Sequence, residues 1–261
     1  MNQGGKNVEI LSRLRLVDVN QLAFQERVEP ARLNRTCQSI LEEGVLRHPI
    51  IVTPLMEGRY LILDGAHRTQ SLRQLGYMKI PVQVVEASEI SFNAWEHLLP
   101  LGLWMDTLQQ LPTLQWVRKL RKEPPIAEVV YPNYTQFWIY PHENYVNHWI
   151  RLQAWHQIVE IYTQNQSVIR LPHGRYVFPE SNHVLFRYPT LTLDEVKEIV
   201  LAGKEVPAGV TRCIVQERVL NLQIPLTLLT SPISKDEWNR FSEKKANKLR
   251  LYSESIYLCE A

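Results

Sequence analysis

The chain is poor in several things that would narrow its chemistry at once. Three cysteines, Cys37, Cys213 and Cys259, lie scattered among 261 residues; their odd number and wide spacing suit neither a disulfide framework nor a zinc motif. The eight histidines form no HExxH pair, so no metalloprotease-type zinc site is expected. No run of about 18 apolar residues offers a membrane-spanning helix, and Met1–Lys6 lacks the apolar core of a signal peptide. Positive charge is not in excess either. Against 29 basic side chains stand 27 acidic ones, a net charge of +2 that argues against a dedicated nucleic-acid-coating surface. These absences point to a reduced, cytoplasmic protein with no membrane partner and with nucleic acid outside the expected partners.

What is present is ordinary for a globular protein: 45% hydrophobic and 21% charged residues over a length that fits one large domain or two small ones. Leu14–Val19 alternates as a strand does. Pro30 suits the first turn of a helix, and Leu33, Cys37, Ile40 and Leu41 fall on one helical face before Gly44 stops it. Ile50–Thr53 and Tyr60–Leu63 read as strands, Thr69–Leu75 as a helix ended by Gly76, and Val82–Val85 as a strand. Residues 1–95 thus form one expected α+β unit and 96–261 a second α+β lobe. In the latter we expect a helix over Trp149–Tyr162, a hairpin over Val168–Phe178, a strand over His183–Tyr188, a helix from Thr192 to Gly203, strand-like stretches in Ile214–Leu228 and a charged helix over Lys235–Leu249. Nothing in the sequence sets an oligomeric state.

The sharpest signal is Asp64-Gly65-Ala66-His67-Arg68, where a strand runs directly into a helix. Gly65 permits a positive φ and a close approach of ligand to backbone. The N–H groups from Ala66 onward would face an anion at the positive helix end. Arg68 offers a bidentate guanidinium to phosphate oxygens, and Asp64 a carboxylate to Mg²⁺. The same five residues also suit a plain strand–helix turn with Asp64 as N-cap. Glu26 and Glu29 lie in a loop that should face this turn if the strands pair, where a carboxylate can accept a hydroxyl proton. Arg47-His48-Pro49 precedes a strand that would line the same place. Further on, Pro207–Cys213 is a turn bearing Thr211 and Arg212, with Arg187 ahead of the Thr192 helix; these could receive a small carboxylate. Trp95 could wall a pocket or serve in a core.

These residues resemble a known family. Leu22–Val85 is similar to the ParB N-terminal/sulfiredoxin-like fold, carried by Ser39–Gly44, His48–Val52, Tyr60–Arg68 and Leu72–Gly76. The sulfiredoxin branch needs a cysteine where Ala66 stands. The chromosome-partitioning branch carries Gly-Glu-Arg-Arg where this chain has Gly65, Ala66, His67 and Arg68, and is followed by a helix-turn-helix absent from the pattern here. The chain most resembles the free serine kinases, including the SbnI-like enzymes of siderophore clusters. Their Asp-Gly-x-His-Arg matches Asp64–Arg68, their His-Glu pair matches Gln25-Glu26, their tryptophan matches Trp95, and their Thr-Arg-His matches Thr211-Arg212-Cys213.

The resemblance implies transfer of a phosphoryl group from ATP or ADP to the hydroxyl of free L-serine, giving O-phospho-L-serine for a siderophore/diaminopropionate pathway. It implies Glu26 as base, Mg²⁺ on Asp64, phosphates against Gly65–Thr69, His48 and Pro49, His67 on a phosphate oxygen or on developing charge, and the amino acid against Trp95, Thr211, Arg212 and Arg187. Gln25 and Cys213 depart from the family pattern and could signal an altered substrate. The alternative is a nucleotide-sensing ParB-like regulator, or a DNA-associated binding protein, that keeps the fold without catalysis.

Overall fold

The computed structural model describes residues 9–142, 148–164, 166–174, 178–230, 235–252 and 256–259. The chain forms two compact units, and the first is discontinuous: residues 1–91 are joined by 193–205 and 213–261, while residues 92–192 and 206–212 form the second. The two return segments were expected in the C-terminal lobe.

In the first unit, β1 (Leu14–Asp18), β2 (Leu22–Ala23), α1 (Pro30–Glu43), β3 (Val45–Leu46), β4 (Ile50–Pro54), β5 (Tyr60–Asp64), α2 (Ala66–Gln74) and β6 (Lys79–Val84) follow in order. The sheet runs β1-β6-β4-β5-β2. β4 is parallel to β6 and antiparallel to β5, and β2 is parallel to β5. Pro30 occupies the first turn of α1, where its missing N–H costs nothing, and Gly44 closes the helix at φ 66°.

Ile50, Val52, Ile62, Leu72, Ile80 and Val82 make the core of this unit, and Val219, Leu222, Ile224, Leu226 and Trp238 complete it from the return segment. Buried Gln83 fixes that segment with both ends of its amide: Nε2 donates to the Glu217 carbonyl at 2.8 Å and Oε1 accepts the Val219 N–H at 2.9 Å. The Gln223 and Leu226 amides donate to Arg47 and Gly44, and Ile224–Pro225 pairs with β3.

The second unit is built on the strands Ala127–Val130, Gln136–Pro141, Leu114–Val117, Ile169–Pro172 and His183–Arg187 around β7 (Ile90–Pro100), an 11-residue strand. The helix His148–Thr163 contains the expected Trp149–Tyr162, and Leu193–Leu201 lies within the expected Thr192–Gly203. Of the expected hairpin, the strand Ile169–Pro172 is present and Arg175–Val177 lie outside the described residues. The C-terminal charged helix stops at Ala246, and Leu249 begins a strand. Among the described residues no helix is long and apolar enough to cross a membrane.

Candidate functional site

In the first unit β5 delivers Asp64 to the sheet edge, and Gly65 then turns the chain into α2 with φ 103°. Gly65, and not Asp64, is the N-cap residue, so the Asp64 carboxylate is left for other partners. A side chain at 65 would be strained by that φ, and its Cβ would stand 2.8 Å from Ile50 Cδ1. The Thr69 N–H and Oγ1 both bond the Gly65 carbonyl, at 2.8 and 3.0 Å, which tightens the first turn. The amides of Ala66, His67 and Arg68 belong to that first turn, where no intrahelical acceptor exists, and they open toward the positive helix end.

The loop with the two glutamates is held against this turn. Gln25 is buried, and its Nε2 donates to the Leu63 carbonyl at 3.0 Å. Its Oε1 has no hydrogen-bond partner among the described residues. The Glu29 N–H donates to His67 Nε2 at 3.1 Å, so this nitrogen carries the lone pair and the ring proton sits on Nδ1. Glu26, one residue past Gln25, is half-buried between these two attachments.

Arg68 faces inward. Nη1 donates to the carbonyls of His48 and Pro49 at 2.7 and 3.0 Å, and Nη2 meets Asp64 Oδ2 at 3.2 Å. His48 and Pro49 therefore join the turn through their carbonyls. His48 Nδ1 accepts the Asn221 N–H at 2.8 Å, which leaves the proton on Nε2. Burial, with Arg68 and Arg218 nearby, holds the His48 pKa below its ordinary value. Sequence reasoning missed Arg218: it forms an ion pair with Asp64. Burial works to raise the Asp64 pKa, but Arg68 and Arg218 outweigh it, and Asp64 lies below the usual carboxylate range. Cys213, in the same unit, is pushed up to about 12 by burial and by Asp64, so it stays a thiol.

The donor set decides what metal fits. Among the described residues no group of three or more histidine, cysteine and acidic side chains could form a metal cage. One ionised carboxylate beside a helix N-terminus suits Mg²⁺, which keeps waters and readily shares its sphere with phosphate oxygens of a ligand.

The second unit carries the remaining candidates. The Trp95 N–H donates to the Val210 carbonyl, and the Arg212 guanidinium lies over the Trp95 ring, 4.7 Å from its centroid. The expected turn ends at Val210; Thr211 already begins the strand Thr211–Val215. A buried chain supports this turn. His97 Nε2 meets the Gly209 carbonyl at 2.8 Å, so Nδ1 accepts from Tyr162, whose hydroxyl accepts in turn from Tyr188 at 2.6 Å. Burial raises both tyrosine pKa values, which keeps both hydroxyls protonated. Arg187 is engaged with Glu96 and Glu128, each at 3.5 Å. Glu96, 1% exposed, was also missed; its Oε1 accepts the Gly174 N–H and faces His173, while Oε2 has no hydrogen-bond partner among the described residues.

The ParB N-terminal domain model matches residues 2–94. The ATP-dependent L-serine kinase SbnI of Staphylococcus aureus is 37% identical over 254 residues, 96% of this chain and 98% of that one. The solved structure of SbnI with C-terminal truncation from Staphylococcus aureus superposes with a TM-score of 0.82 at 36% identity, covering 92% of this chain and 98% of the other. A mutant free serine kinase in complex with AMP shares the fold at a TM-score of 0.71 and 16% identity, covering 84% and 94%.

Proposed function

Because the chain belongs to the family of the L-serine kinase SbnI, we propose that it transfers the terminal phosphoryl group of ATP to free L-serine. The observation that supports this best is the attachment of the base loop to the phosphate turn on both sides of Glu26, through Gln25 to Leu63 and through Glu29 to His67. A nucleotide sensor needs the turn alone. A kinase needs a carboxylate held beside it.

The first unit holds the nucleotide. The helix-end amides of Ala66–Arg68 and the Nδ1–H of His67 donate to phosphate oxygens, and His48 Nε2–H is a further donor. Arg68 keeps the His48–Pro49 carbonyls and Asp64 in register. Asp64 would hold Mg²⁺, which when bound would supply charge compensation to the phosphates. Glu26 accepts the proton from the serine hydroxyl. The serine Oγ forms its bond to the terminal phosphorus as the bond from that phosphorus to the leaving nucleotide oxygen breaks. The products are O-phospho-L-serine and ADP. Positioning and charge compensation are nearly all such a transfer asks of a protein.

In the second unit Arg212 and Thr211 receive the serine carboxylate and Trp95 walls the side-chain end. Arg187 serves by holding Glu96 and Glu128 in place. As the family resemblance implies, the product would feed diaminopropionate synthesis, in the cytoplasm.

The test is incubation with L-serine and ATP, in parallel with ADP and with L-threonine, read by mass spectrometry. Phosphoserine from the wild type and loss of about 10²–10⁴-fold in rate for Glu26→Gln, with ATP binding retained, are expected. Intact ATP binding without any phosphorylated amino acid would leave the nucleotide-sensing regulator.

A further inference from the structure

Two guanidinium groups converge on one oxygen, Asp64 Oδ2: those of Arg68 and Arg218. They are built for different work. Arg68 is largely buried, and its Nη1 is occupied by two backbone carbonyls, so moving it would strand both. The Arg218 side chain is 31% exposed, and its buried Nε makes no hydrogen bond among the described residues. Its backbone, by contrast, is pinned on either side, since Gln83 bonds the Glu217 carbonyl and the Val219 N–H. A fixed root carries a side chain whose charged end is held by Asp64 alone among its hydrogen-bond partners in the described residues.

Charge makes the arrangement informative. One carboxylate and two guanidinium groups leave a net positive charge at the head of α2, which attracts an anion. A divalent cation on Asp64 would compete with the guanidinium groups held by the same carboxylate, because like charges at that separation repel strongly. Something must yield, and of the two arginines only Arg218 is free to swing without breaking backbone contacts. Its Nε–H and Nη–H groups form the two-pronged donor that fits phosphate.

We propose that Arg218 is an internal counter-cation exchanged during nucleotide loading. It neutralises Asp64 before loading; when Asp64 takes up a divalent cation, Arg218 transfers to a nucleotide phosphate oxygen. This rests on the kinase reading and adds to it a phosphate-binding residue that the Asp64–Arg68 segment does not contain.

The experiment is calorimetric titration of ATP into the wild type, Arg218→Gln and Arg218→Lys, in EDTA and across a Mg²⁺ series, without serine. Thermal melts check that each variant is folded. Arg218→Gln should bind ATP at saturating Mg²⁺ about 10–100-fold more weakly, the loss of a charge-assisted two-pronged contact, and should change ATP binding little in EDTA, where Arg218 stays on Asp64. Its half-saturating Mg²⁺ concentration at saturating ATP should fall several-fold, because Asp64 has lost its competitor. Arg218→Lys, which keeps the charge and loses the fork, should fall between, and it carries the test if the glutamine variant does not fold. A wild type that binds ATP while both variants match it at saturating Mg²⁺ and in Mg²⁺ requirement overturns the exchange and spares the kinase reading. If the wild type binds ATP only with Mg²⁺, the Mg²⁺ requirement decides: lowered in the variant supports the exchange, unchanged overturns it. A wild type that binds no ATP under any condition removes both.

Discussion

His67 accepts the backbone N–H of Glu29 on Nε2, across 3.1 Å, and so ties the Asp64–Arg68 turn to the loop that carries Glu26. His67→Ala should therefore do more than remove a phosphate donor. We expect ATP affinity to fall by about 3–10-fold, as for one ordinary hydrogen bond, and kcat to fall further because Glu26 loses its placement. His67→Gln, whose amide oxygen can accept the same N–H, should recover part of kcat. Calorimetry and steady-state kinetics on the two variants separate these effects; equal kcat for alanine and glutamine would mean that the loop is held by other contacts.

Arg212→Ala should leave ATP affinity unchanged and raise the KM for L-serine by roughly 30–150-fold, the loss of about 2–3 kcal/mol of carboxylate recognition. The serine carboxylate keeps its charge throughout the reaction, so its loss appears in KM more than in kcat. Arg212→Lys should recover little. Trp95→Leu, which removes the ring beneath the guanidinium, should cost about 2–5-fold, the range of an exposed cation–π contact. A normal serine KM in Arg212→Ala would place the carboxylate elsewhere.

His48 gives the fold a pH dependence. Its pKa is held below the ordinary 6.5 by burial and by the neighbouring arginines, and the Asn221 N–H occupies Nδ1. The unfolded chain binds a proton at His48 more readily than the folded one does. The stabilisation is therefore complete above about pH 6.5 and declines as pH falls through and below that value. Melting temperatures between pH 7.5 and 5 should fall less in His48→Gln than in the wild type. Parallel slopes would show that His48 keeps no such preference.

Gly65→Ala should destabilise the protein by about 1–3 kcal/mol, from the forced positive φ alone, and more where Ile50 cannot give way at 2.8 Å. Because Gly65 heads α2, ATP affinity should fall with it. Denaturant titration measures the first effect and calorimetry the second; a variant as stable as the wild type would mean that the turn is not fixed at this φ.

Much of the first unit was legible because its signals are local. Pro30 and Gly44 bracket a helix, and Asp64-Gly65 marks a junction whose glycine does take a positive φ. The inward course of Arg68 was not legible, since its carbonyl partners at 48 and 49 are set by a loop with no signature. β7 was overlooked for a chemical reason. Glu96 and His97 are residue types that favour the surface, whereas both are buried, held by Arg187, Gly174, Tyr162 and Gly209 from elsewhere in the chain. Arg218 carries no local mark at all; its partner Asp64 lies 154 residues earlier, beyond any periodicity or motif.

The Gln83 clamp on residues 217 and 219 also has a bearing on birth at the ribosome. Ile50, Leu72 and Val82 are synthesised early, but Val219, Leu222 and Ile224, which close over the same core, emerge some 140 residues later. At ordinary elongation speed that gap lasts several seconds or more, far longer than the sheet's own strands need to find one another. The nascent nucleotide-binding half must wait with an open apolar flank, a natural client for a ribosome-associated chaperone. For the same reason, residues 1–95 made alone should be an aggregation-prone fragment rather than a transplantable module.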